Sequence, residues 1–149
     1  MSCQASEVSE AVKDDLNAVG TWSQEFTAVR KWRVRYAVTA LKALKACVVP
    51  GPATFDSLDR RRDDTRYAAD VVLLKRISPE SNLDVDPLVA LMEEIKDHYR
   101  GKDLLAGSVA MFCTTREFVS PGDSMVDEGL LSEGRVFVGV VRLHWRLRQ

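Results

Sequence analysis

Residues 135–147 read RVFVGVVRLHWRL, an alternation that puts Phe137, Val141, Leu143, Trp145 and Leu147 on one side of an extended chain. Val136, Val138, Val140, Arg142, His144 and Arg146 fall on the other side. Successive strand residues point to opposite faces of a sheet, so the pattern predicts a long strand with one apolar face and one mixed face. The apolar face calls for a core. The mixed face, with its valines beside arginines and a histidine, invites a partner sheet or subunit unless the N-terminal helix or a loop covers it, because exposed apolar patches usually mark interfaces.

Upstream, YAADVVLLKRI over 67–77 repeats the alternation, with Tyr67, Ala69, Val71, Leu73 and Ile77 on the core parity. Between these strands, Leu88, Leu91, Met92, Ile95 and Tyr99 form one helical stripe, with Asp86 and Pro87 at the N-cap and first turn and Gly101 as the stop. The segment from Ser78 to Val85 reads as a turn. A shorter amphipathic helix is expected over Ser6 to Leu16, ended by Gly20, from Val8, Ala11, Val12 and Leu16 at helical spacing. A half-exposed strand follows through Phe26, Ala28 and Lys31 to Val34. A second strand, Cys47 to Val49, is expected to stop at Pro50-Gly51-Pro52, because proline cannot donate to a ladder. Ser108 to Phe118, with Val109, Met111, Cys113 and Thr115 on one parity, is a further strand, closed by Pro121-Gly122. The order is helix, three strands, helix, two strands. This predicts one α+β domain over residues 1–149, a mainly antiparallel sheet flanked by helices, with residues 1–20 as the N-terminal helix and turn.

Composition agrees with a single folded domain. The chain has 149 residues, 46% hydrophobic and 29% charged, with 21 Lys and Arg against 22 Asp and Glu. At that length about 68–70% of the unfolded surface is buried, enough for one core. A net charge of −1 supplies no global field toward nucleic acid or an anionic membrane, so such contacts need a local patch. The opening residues lack the apolar segment of a secretory signal, and no window of eighteen uncharged apolar residues follows, so a soluble, unexported protein is expected, with no membrane partner. Cys3, Cys47 and Cys113 are odd in number and far apart; Cys47 and Cys113 read as small core residues in strands rather than as a disulfide or zinc framework.

A search for chemistry finds no phosphate-binding glycine loop, no metal-ligand spacing and no nucleophile motif. The expectation is a non-enzymatic protein with no cofactor, metal or catalytic residue. His98 is placed near a helix end, where a cation complements the dipole. The adjacent carboxylates Asp14-Asp15, Asp63-Asp64 and Glu93-Glu94 point apart and read as solvated faces. Arg60, Arg61 and Arg62, followed by Asp63 and Asp64, read as a solvated hairpin tip, a contact loop to another protein or a contact to DNA. Trp32, Tyr36 and Trp145 are large aromatics within arginine-bearing strands.

Taken together, SQEFTAVR (23–30), Leu41 to Leu44 leading to Val48-Val49-Pro50, DVVLLKR (70–76), LVALMEEIKDHYRGK (88–102) and the final strand from Val136 to Arg148 resemble the tail-completion, or tail-terminator, proteins of long-tailed bacteriophages and prophages. The likeness covers residues 23–148; Val34-Arg35-Tyr36 and the loop from Asp123 to Glu133 are individual to this chain. The resemblance implies a structural virion protein in which a helix-flanked antiparallel sheet forms a six-membered ring. Such a ring caps the tail tube and meets the head connector. It further implies self-association and contacts with tail-tube and head-connector proteins, in the bacterial cytoplasm during assembly and then in the virion. By this analogy the loop from Phe55 to Arg66 reaches toward tube or connector. Trp32, Arg33 and the edge of Arg142, His144 and Arg146 lie at subunit contacts, alongside Val136, Val138 and Val140 of the semi-apolar face read above as an interface, and Arg60 to Arg62 alternatively line a passive DNA passage. The alternative reading is a host protein that binds a partner or small ligand on the free sheet face.

Overall fold

The computed structural model describes residues 4–34, 41–57, 63–77, 82–119 and 136–148. They form α1 (Gln4–Val19), β1 (Ala28–Arg30), β2 (Lys45–Ser57), β3 (Asp63–Arg76), α2 (Asn82–His98), β4 (Asp103–Ala106), β5 (Val109–Phe118) and β6 (Val136–Arg148). The strands make one sheet in the order β1-β2-β3-β6-β5-β4. Its pairs are antiparallel except β1 with β2. Both helices pack on the same face, giving the expected two-layer α+β architecture.

The core lies between that face and the helices. Val8, Val12 and Leu16, spaced by four, form the buried stripe of α1. Leu88, Leu91, Met92 and Ile95 do the same for α2, and Tyr99 follows its last turn. From the sheet come Ala69, Val71 and Leu73 of β3, with Phe137, Val141, Leu143 and Trp145 of β6, all fully buried. Cys47 and Cys113 are buried within β2 and β5. Burial pushes the Cys113 thiol up to about 11, leaving it neutral and inert at neutral pH. Cys3 lies outside the described residues.

Several local expectations are corrected. Strand β2 does not stop at Pro50 but runs to Ser57. β1 pairs only with Ala46 to Val48, so β2 is an edge strand beyond that point. The register slips between Pro50 and Ala53, and edges and bulges are where a sheet tolerates proline. Gly51 is needed for the approach itself, since a Cβ there would stand 2.8 Å from the Cβ of Ala68.

β1 is three residues long. Lys31 still donates its N–H to the Val48 carbonyl at 3.0 Å, after which the chain leaves the sheet. Helix α2 begins at Asn82, within the stretch expected to be a turn, so Pro87 sits inside it rather than at its first position. Near the helix start the missing N–H costs a single early bond. The strand β4 adds a third strand after α2, joined to β5 at Gly107, whose φ of 62° suits a tight hairpin turn. In β5 an irregularity between Cys113 and Thr115 turns Thr115 out of the core parity. The closure expected at Pro121-Gly122 lies outside the described residues.

Polar ties join α1 to the sheet and to α2. Asn17 of α1 both donates to and accepts from the backbone of Ala28, at 3.0 and 2.8 Å. Glu10 accepts from Lys13 and from Arg30 of β1, each at 2.7 Å. These hydrogen bonds, Lys13 first and Arg30 next, hold the Glu10 carboxyl below its ordinary value of 4.5. A carboxylate with a depressed folded value stabilises the fold above its unfolded value, and that contribution fades as pH falls through the folded one. We expect Glu10→Gln to lower stability slightly at neutral pH and to converge with wild type in acid, as read by urea melts from pH 7 down to pH 2.

Candidate assembly surface

The second face of the sheet is built from the even-numbered residues of β6 and their partners. Val138 and Val140 stand opposite Leu74 and Val72 of β3, and Arg142 and His144 stand opposite Asp70 and Ala68. Strand parity thus places the mixed residues as expected. At one end they make a small second cluster, in which Leu41, Cys47, Val72, Leu74 and Val136 are buried. Val34, Val49, Val138 and Val140 are half-buried against it. Val34 and Leu41 belong to the connection that the parallel β1–β2 pair requires. Val34 and Leu41 therefore cover part of the face, so Asp at Val138 or Val140 would disturb this cluster as well as any interface.

Toward the other end the face is polar. Arg142 donates from Nε and Nη2 to the two carboxylate oxygens of Asp70, at 2.8 and 3.0 Å. This two-point contact raises the arginine above its ordinary value. His144 Nε2 lies 3.1 Å from Glu117 of β5, and Arg146 stands opposite Arg66. These residues are not an edge. β6 is flanked by β3 and β5, so Arg142, His144 and Arg146 can meet a neighbour only through the face.

The true edges are β1 and β4. Trp32, 58% exposed, and the exposed Arg33 follow β1. At the far edge Leu105 of β4 is 64% exposed. A shallow depression there is lined by Asp103, Leu104, Leu105, Ala110 and Met111. The sequence reading missed β4 and this depression. The available signal was Asp103 to Ala106 running into Gly107 and then Val109, a short hairpin pattern. Arg60, Arg61, Arg62 and Tyr36 lie outside the described residues.

His98 is the last residue of α2, as the dipole argument requires, and its Nε2 also lies 2.9 Å from Asp15 of α1. Its ring stands edge-on to Trp22 and Tyr99, with centroids at 5.2 and 4.8 Å. Burial, with Asp15 nearby, pushes the Tyr99 hydroxyl far above its ordinary range, so it stays protonated. The cluster clamps two helices together. Neither His98 nor His144 lines the depression beside β4 or the one between Leu16 and Phe26. Among the described residues no group of three or more His, Cys, Asp or Glu is placed to hold a metal ion, and no helix is long and apolar enough to cross a membrane.

No protein-family model and no curated protein matches this chain. Solved structures do. One, a protein whose name is silent on function, superposes with a TM-score of 0.55 at 12% identity over 97% of this chain and 95% of its own. Another is a chain of the virion of a native gene transfer agent particle, with a TM-score of 0.55 at 14% identity and all of both chains covered. What this chain shares with them is its fold, end to end.

Proposed function

We propose that this protein is a structural component of a phage-like virion. It assembles as a ring on the end of the tail tube, as a tail terminator or head–tail joining protein. The observation that carries the reading is the full-length likeness to a chain of the gene transfer agent virion. It is supported by the resemblance of 23–30, 70–76, 88–102 and 136–148 to tail-completion proteins, and by a sheet whose two edges both expose large apolar side chains.

In this role the protein works by shape, with neither substrate nor cofactor. Its partners are further copies of itself, the last ring of the tail tube and the head connector, and Arg60 to Arg62 face either a protein neighbour or the DNA passage. Deleting the gene and imaging particles by electron microscopy tests the reading. Tails of uncontrolled length, and heads without tails, are expected; tails of uniform length joined to heads would overturn it.

A further inference from the structure

We infer that copies of this chain join head to tail, Trp32 of one copy filling the depression beside β4 of the next while Arg33 pairs with Asp103. The inference deepens the ring reading and rests on it. Three observations converge.

The first is apolar: Trp32 and Leu105 expose more than half their surface, which is costly unless something covers it. The second is shape. The depression of about 250 Å³ is smaller than the roughly 300–1,000 Å³ of small-molecule sites and suits one bulky side chain. Its apolar lining comes from Leu104, Leu105, Ala110 and Met111. The third is charge. Arg33 is exposed beside the tryptophan and Asp103 is exposed on the rim of the depression, and neither makes an ion pair among the described residues.

Placement then sets the symmetry. Knob and socket lie on opposite edges of a six-stranded sheet, five interstrand spacings of about 4.8 Å apart, or roughly 24 Å. Where copies meet edge to edge, β1 of one beside β4 of the next, one neighbour cannot engage both edges. Each copy therefore gives its tryptophan to one neighbour and its socket to another, a heterologous contact that closes into a ring or continues as a fibre.

The test uses the whole chain and sedimentation velocity. Trp32→Ala, which keeps the socket, and Leu105→Asp, which keeps the knob, are each expected to weaken self-association at least about 30-fold, as a buried tryptophan anchor does. Mixed one to one, the two variants should form heterodimers and nothing larger, because only one intact knob–socket contact remains. Arg33→Asp and Asp103→Arg should each weaken assembly roughly tenfold, and the chain carrying both should recover it. All four positions are exposed, so circular dichroism should show unchanged folds. Wild type that assembles while these variants assemble equally well would overturn the contact and leave the ring reading standing. Wild type that stays monomeric at about 1 mM, alone and with tail tubes, would overturn both.

Discussion

Trp145→Ala is expected to cost about 3–5 kcal/mol of folding stability, the range for truncating a buried aromatic. Trp145 is fully buried toward the C-terminal end of β6, between Tyr67 of β3 and Cys113 of β5 in register. Its ring meets that of Tyr99 edge-on at 5.7 Å, linking the sheet to the end of α2. Against a total stability of about 5–15 kcal/mol for a domain this is a large fraction. Trp145→Phe should cost less. It keeps a ring against Tyr99 and removes the indole Nε1, which is buried and finds no partner among the described residues, a burden of about 1–3 kcal/mol. Urea unfolding followed by circular dichroism reads both, since Trp22 and Trp32 would confuse fluorescence. A loss below about 1 kcal/mol for the alanine variant would refute this account of the core.

The same residue shows why part of the fold was legible in advance. In 67–77 and 135–147 one parity is mainly apolar because one face of each strand is buried under helices, and a slip of one residue would expose the core side chains. Leu88, Leu91, Met92 and Ile95 reveal α2 for the parallel reason at helical period. Other features obey rules that depend on neighbours. Whether Pro50 ends a strand depends on whether a ladder partner is present on that side, and β1 is too short to provide one. Whether Thr115 faces the core depends on an irregularity that follows Cys113. Strand β4, four residues with two adjacent leucines, offers no alternation long enough to recognise.

The surface divides likewise. Trp32 and Arg33 are marked as contact residues by the resemblance to tail-completion proteins, within a stretch expected to be a half-exposed strand. The socket is not marked, because Asp103, Leu105 and Met111 come together only when β4 folds back on β5. Parity places Arg142 on the mixed face and the resemblance makes it a contact residue, whereas its charge is already answered within the chain by Asp70.

Removing that answer is the second large effect. Asp70→Ala is expected to cost about 1.5–3 kcal/mol, the range for hydrogen bonds to charged groups. The side chains of Asp70 and Arg142 retain 15% and 24% of their exposure, so the penalty falls short of the roughly 3–5 kcal/mol of a fully buried broken pair. Asp70→Asn keeps one acceptor and should lose less. Arg142→Lys keeps the charge but not the two-point geometry and should fall between. A double-mutant cycle with Asp70→Ala and Arg142→Ala should return a coupling of about 1–2 kcal/mol; a coupling near zero would mean that the pair is only a surface contact. Because the pair spans adjacent strands of one copy, its loss should lower stability and leave association per folded chain unchanged. Trp32→Ala should do the reverse. Measured side by side, the two variants separate what holds this sheet together from what joins it to the next copy.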